Sequence, residues 1–397
     1  MPAFGKLPAA ATITPTPFQV SIPQQQLDDL QTLLKLSKIA PLTYENTRPN
    51  RQYGITSEWL TAIRKQWQDD FDWRACEAKA NSFPQFTVDI EDIKLHFAAL
   101  FSEKADAVPL ILIHGWPGSY FEFLPMLQLF QEEFTPSDLP YHLIVPSLPG
   151  YTFSSGPPLD RNFTNADTAR ILDKLMHGLG FGGGYIAQGG DIGSRVSRIL
   201  AVEYDSCKAA HLNFCPVPNG PDGVPDTLTA QEQKGLERRE NFLTMGRAYA
   251  YEHGTRPSTI GHVLSSSPIA LLAWIGEKYL DWVDDALPSE SILELVSLYW
   301  FTESFPRAIY PYRENFPPPA DAGTPQDRWY IGKPLGFSYF PMELMPVPKS
   351  WVNTTGNLVF WRQHEKGGHF AALERPQDLK ADLSAFVDQV WPGIVPQ

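Results

Sequence analysis

The run Gly189-Gly190-Asp191-Ile192-Gly193 sets small residues two before and two after a central aspartate. Glycines at those offsets permit a sharp turn from strand to helix, with the central residue strained and its side chain presented above a sheet. Such an elbow commonly presents a hydroxyl. Here it would present a carboxylate, which can act as a nucleophile in its own right. The same residues would also suit a Gly-rich loop whose aspartate caps the following helix, expected over Ser194–Tyr204. The turn His114-Gly115-Trp116-Pro117-Gly118-Ser119 directly follows an apolar run, so its backbone can fold back toward the elbow. The Trp116 and Ile192 N–H groups are then the candidate oxyanion donors. An ordinary strand-to-helix turn is the plainer alternative, and His114 itself is expected to be structural.

Gly367-Gly368-His369-Phe370 lies shortly after another apolar run, Asn357–Trp361. A histidine on a loop at the end of such a strand can reach a nucleophile from another strand and serve as general base. It is last in the order nucleophile, acid, histidine. The acid should lie between Asp191 and His369 and follow a strand. Glu343, in the Pro-bounded loop Pro341-Met342-Glu343-Leu344-Met345-Pro346 after Phe337–Phe340, meets both conditions best; Glu365 and Asp327 are the other candidates.

Positioning these groups requires a sheet. Pro109–Ile113, Tyr141–Val145, Gly184–Gln188, Lys208–Phe214 and Asn357–Trp361 are short apolar runs, as buried parallel strands require. Helical spacing separates them: Ile171, Leu172, Leu175, Met176 and Leu179 share one face before Gly180 ends the turn. Strands alternating with helices predict an α/β core with a mostly parallel sheet. The alternation breaks at about Pro216–Pro225, residues 229–303 read as helices rich in aromatics, and strands resume near Pro334. A helical insertion of that kind is the layout of a lid. Ahead of the core, Leu27, Leu30, Leu33 and Leu34, then Trp59, Ile63 and Trp67, recur at helical spacing among prolines, as in a meander packed on something else. Phe86, Val88 and Ile90 alternate, as do Ile93, Leu95 and Phe97, which predicts a hairpin about Glu91-Asp92. The expected division is a meander over 1–85, core over 86–217, lid over 218–333 and core again over 334–397.

A chain of 397 residues can bury a large core, as two or three units or one large domain with additions. Its formal charge of −13 disfavours nucleic acid or an anionic membrane as the main partner. Cys76, Cys207 and Cys215 show neither a metal-ligand spacing nor a disulfide framework, which predicts a reducing compartment. Met1–Gln24 has no signal-type apolar segment, and no run approaches about 18 apolar residues, so a soluble, cytoplasmic protein without a membrane anchor is expected. The proline-bearing N-terminal arm can clasp a second subunit, giving a homodimer, or wrap its own chain.

Taken together, the HGWPGS turn, the GGDIG elbow, the segment Thr255-Arg256-Pro257-Ser258 and the ending Gly367-Gly368-His369-Phe370-Ala371-Ala372-Leu373-Glu374 resemble the microsomal-type epoxide hydrolases. The likeness is greatest to the soluble fungal members and extends over nearly the whole chain. It implies an α/β-hydrolase fold with a helical lid. It places the nucleophile on Asp191, the base on His369 and the charge-relay acid on Glu343. Two lid tyrosines that donate to the epoxide oxygen fall on Tyr249 and Tyr312, with Tyr251 and Tyr310 as close rivals. Lid aromatics such as Trp274 and Trp282 would shape the substrate space. The implied reactants are a small-molecule epoxide and water, with no metal or organic cofactor. A haloalkane or haloacid dehalogenase shares the aspartate elbow, but commonly has a ring N–H donor after the nucleophile, where this chain has Ile192. A carboxylesterase would need Ser or Cys at position 191. A non-catalytic binding relative would be expected to have lost part of the set.

Overall fold

Nine strands form one sheet in a computed structural model of the chain, which describes residues 3–217, 220–221, 227–316 and 329–394. They are β1 (Thr16–Phe18), β2 (Gln85–Ile90), β3 (Ile93–Leu100), β4 (Val108–Ile113), β5 (Tyr141–Pro146), β6 (Tyr185–Gly189), β7 (Cys207–Leu212), β8 (Ile331–Tyr339) and β9 (Gly356–Gln363). Their order across the sheet is β1-β2-β3-β5-β4-β6-β7-β8-β9. From β5 to β9 every pairing is parallel, and β1, β2 and β3 add an antiparallel edge. Both faces of β4 and β6 are covered, so every residue of these two strands is buried. That explains why they read as continuous apolar runs rather than alternating ones. The β2–β3 hairpin turns at Glu91 and Asp92, with Ile90 opposite Ile93.

The arm ahead of the core wraps its own chain. β1 pairs with β2. Phe101 N donates to Phe4 O at 3.0 Å and Thr12 N to Gly178 O at 2.8 Å. Ile22 N donates to Glu77 Oε1 at 2.6 Å. Its helix Ser57–Asp69 buries Trp67, whose Nε1–H donates to Ser297 Oγ at 2.9 Å and so ties the arm to the lid. The lid is helical from Ala230 to Ala308 and lies in sequence between β7 and β8.

Most strand ends fall within two residues of expectation, and two boundaries differ by three or more. β8 starts at Ile331 rather than near Pro334 or Phe337, because the strand continues past Pro334 through a register shift that absorbs the missing ladder N–H. The helix after the elbow starts at Asp191, not Ser194. Part of the break at 216–225, and Asp327 with it, lie outside the described residues. Among the described residues no single helix is long and apolar enough to cross a membrane, and Cys76, Cys207 and Cys215 are unpaired and buried.

The helix Asp191–Glu203 crosses tightly over the strand ends. A Cβ on Gly193 would lie 2.0 Å from Ile113 O, and backbone cannot yield as a flexible side chain can. Gly193→Ala should therefore destabilise the fold by roughly 1–3 kcal/mol, read as a lower urea midpoint at unchanged slope.

Candidate active site

β4 and β6 are neighbours, and their last residues, Ile113 and Gly189, are partners in register. The two turns that follow therefore leave the sheet at the same level. Gly115 has no side chain, and a Cβ there would come within 2.1 Å of Asp191 Oδ1. The bare backbone lets Trp116 N donate to Asp191 Oδ1 at 2.8 Å. Asp191 has a left-handed φ of 46°, a conformation that non-glycine residues take up only under constraint. Its side chain does not cap the helix; Gly190 occupies the N-cap position. The elbow reading therefore holds over the capping one.

β8 and β9 are also neighbours, and the loops after them stay paired. Met342 and Gly368 form a parallel bridge, with Met342 N donating to Gly367 O at 3.0 Å. The next residue in each loop is a site residue. Glu343 Oε1 accepts from His369 Nδ1 at 2.5 Å and from Leu344 N at 2.5 Å. The other face of the ring brings His369 Nε2 to 3.4 Å from Asp191 Oδ2. Glu343 is 2% exposed and His369 5%, whereas the runner-up Glu365 is exposed and takes no part.

Burial opposes charge on His369 and Asp191, yet their charged forms prevail. Burial would lower His369, but the Glu343 and Asp191 carboxylates outweigh it and raise the imidazole to about 10. Burial would likewise raise Asp191, but His369 and the Ile192 and Trp116 N–H groups hold it below the usual carboxylate range. His114 behaves otherwise. It is buried, Nδ1–H donates to Gly115 O at 3.0 Å, Nε2 accepts from Leu148 N at 3.2 Å, and burial lowers it to about 4. It braces the turn as a neutral ring, which fits its expected structural place.

The lid brings Tyr249 and Tyr312 over Trp116. Tyr249 stacks on the indole with centroids 5.2 Å apart, Tyr312 meets it edge-on at 5.9 Å, and the two phenols are 5.8 Å apart. Burial, with the Asp191 charge added, pushes both phenols above their ordinary range, so they are neutral donors. The Tyr312 hydroxyl is buried without a hydrogen-bond partner among the described residues. The rivals are turned away. Tyr251 is 46% exposed and accepts from Arg247 Nη2, and the Tyr310 hydroxyl pairs with Thr168 Oγ1 at 2.9 Å. Trp282 stands edge-on to His369 at 5.1 Å and beside Tyr249 at 5.2 Å. Trp274 stands farther out, donating Nε1–H to His253 Nε2 at 3.0 Å.

Three groups near the site escaped the sequence reading. His253 fills the space between Trp116 and Tyr312, with centroids 4.5 and 4.9 Å away. Glu374 accepts from Phe370 N at 3.1 Å and Asp284 N at 2.8 Å, while Gly367 N donates to Asp284 Oδ2 at 2.8 Å and His369 N to Trp282 O at 2.8 Å. These bonds fasten the histidine loop to the lid. Glu122 is buried beside the elbow. A carboxylate inside the apolar run Tyr120–Leu127 was the visible signal for it; His253 carried none.

A strand-to-helix elbow, two backbone donors and an acid–histidine pair, all at the C-terminal edge of a parallel sheet beneath a helical lid, define an α/β-hydrolase fold with a carboxylate at its elbow. Comparison with known proteins agrees. Residues 15–123 match the family described as Epoxide hydrolase N terminus, and residues 108–229 match that described as alpha/beta hydrolase fold. The solved epoxide hydrolase of Aspergillus niger is 64% identical, with a TM-score of 0.95, over 98% of this chain and 100% of that one. Epoxide hydrolase 1 of Oryctolagus cuniculus is 31% identical over 94% of this chain and 89% of its own length. The juvenile hormone epoxide hydrolase of Bombyx mori, 23% identical, shares the fold with a TM-score of 0.83 over 96% of this chain and 95% of its own. This chain belongs to the epoxide hydrolase family.

The electrostatics predict an imidazolium at neutral pH. By ¹⁵N NMR, His369 in the free protein should stay protonated from pH 6 to about 9 and titrate near 10; Glu343→Gln should bring that titration down, because the first of the two raising carboxylates is gone.

Proposed function

We propose that this enzyme hydrolyses epoxides to vicinal diols through an alkyl ester on Asp191. The observation that carries the reading is a carboxylate at the elbow whose two oxygens have different surroundings. Oδ1 faces the Trp116 N–H and Oδ2 faces His369. Oδ1 thus becomes the carbonyl oxygen of the ester, already seated in the donors that will hold its charge later. Oδ2 attacks the ring carbon from the back. The departing epoxide oxygen stays on the substrate, and Tyr249 and Tyr312, neutral and poised above Trp116, donate to it.

Esterification also changes the base. While Asp191 is anionic it helps to keep His369 protonated. Once the carboxylate becomes an ester, that contribution vanishes, and the imidazolium can return a proton to the tyrosine that gave one up. His369 is then a neutral base, oriented through Nδ1 by Glu343, and it activates water against the Asp191 carbonyl carbon. The chain carries Ile192, not a ring N–H donor, directly after the nucleophile. That favours an epoxide, whose oxygen is retained, over a halide that must be held as it leaves.

A single turnover in ¹⁸O-water with enzyme in excess should label the Asp191 carboxylate and leave the diol unlabelled. Label in the diol after that first turnover would exclude the ester. His369→Gln should form ester and fail to clear it, because loss of a general base typically costs 10²–10⁴-fold, about 3–5 kcal/mol. Tyr249→Phe and Tyr312→Phe should each slow ester formation, and the double change should abolish it on a simple aryl epoxide.

A further inference from the structure

A small space lined by neither lid tyrosine touches the reacting carboxylate. Asp191 and His369 share its wall with Glu122, Gln188, Asn213 and the His114–Gly118 turn, and neither Tyr249 nor Tyr312 reaches it. It offers about 20 Å³ to the centres of water molecules, room for one or two of them. Its lining is unusually polar for a core. Gln188 spends its Nε2–H on Asn213 Oδ1 at 2.9 Å, and its Oε1 is buried without a hydrogen-bond partner among the described residues. Glu122 is 8% exposed. Its carboxyl fills the place where residue 118 would carry a side chain, with Oε1 only 1.4 Å from an ideal Cβ on Gly118. Only glycine at 118 admits it. Burial pushes Glu122 up to about 8; the His369 charge opposes this rise and the Asp191 charge adds to it.

We infer that Glu122 holds the water that hydrolyses the Asp191 ester. The inference rests on the ester reading above. On that reading the epoxide lies against Tyr249 and Tyr312, neither of which lines the space at Glu122, and it is there that room and acceptors for a water coincide beside Asp191 and His369. The water gives one hydrogen bond to His369 Nε2 and the other to a Glu122 oxygen, which aims a lone pair at the Asp191 carbonyl carbon. As the new C–O bond forms, the proton passes to His369 and the carbonyl electron pair moves onto Oδ1. Collapse breaks the bond between the Asp191 carbonyl carbon and Oδ2, the ester oxygen now carried by the substrate. That oxygen leaves with the proton of the new hydroxyl, giving diol, the Asp191 carboxylate and protonated His369 as at the start. Glu122 gains and loses nothing over the cycle.

The test separates the two half-reactions in the full-length enzyme, with styrene oxide as the probe and rapid quench with intact mass as the readout. Glu122→Gln should form ester within about 2-fold of the wild-type rate and hydrolyse it at least about 10-fold more slowly. Ester should accumulate, and kcat and KM should fall together with kcat/KM preserved. A residue that merely packs would not produce that split. Hydrolysis at the wild-type rate, or an equal loss in both steps, overturns the inference. Should Glu122→Gln not fold, Glu122→Asp, which keeps the carboxyl group and withdraws it by one methylene, is read the same way. His369→Gln is run beside it: if that variant forms no ester, the ester reading itself has failed, whatever Glu122 does.

Discussion

A carboxylate cut off from most of the solvent must be kept charged, and the rest of this molecule is arranged around meeting that demand. The Asp191 side chain is only 16% exposed. Burial alone would favour its neutral form, which is no nucleophile. The opposing contributions come from an imidazolium at 3.4 Å and from backbone N–H groups that cannot reorganise away. Each of them depends on backbone geometry: a left-handed φ at residue 191, a glycine at 115 and strand ends in register.

The sheet supplies that geometry cheaply. Four parallel strands, β4, β6, β8 and β9, end at one edge, and each contributes one site group in the loop just beyond it. Register does the alignment. Ile113 against Gly189 fixes the backbone donors relative to Asp191, and Met342 against Gly368 fixes Glu343 relative to His369. Within the sheet the two halves meet through β7, so the contact between His369 and Asp191 depends on the placement of every strand between them.

Much of this was legible in the sequence because local rules and global fold agree there. The glycines around Asp191 are spaced by the steric needs of the elbow, and the apolar runs before each loop mark buried strands. Glu343 could be chosen over Glu365 because it sits among apolar residues between prolines. What stayed hidden depends on contacts distant in sequence. Nothing in the local pattern tells that Trp274 turns toward His253 while Trp282 turns toward His369, since both lie on one helical stretch of similar composition. The extension of β8 back to Ile331 was masked by Pro334, whose local rule forbids a ladder bond that the neighbouring strand accommodates with a shift. Tyr249 and Tyr312 came from likeness to a family rather than from any periodicity, and the packing of rings on Trp116 is what distinguishes them from Tyr251 and Tyr310.

The histidine loop is stitched to the lid by main-chain bonds at Trp282 and Asp284, and the lid residues Tyr279 and Tyr299 hydrogen-bond the carbonyls of Pro117 and Gly118 at 3.0 and 2.8 Å. The roof and the catalytic floor are thus a single framework. Swinging the roof aside would carry off the imidazole and loosen the oxyanion turn in the same motion, so traffic of reactant and product has to use side-chain rearrangement along fixed walls. The aromatic side chains hung between these fixed anchors, rather than the backbone, are then what sets the size of molecule the site accepts.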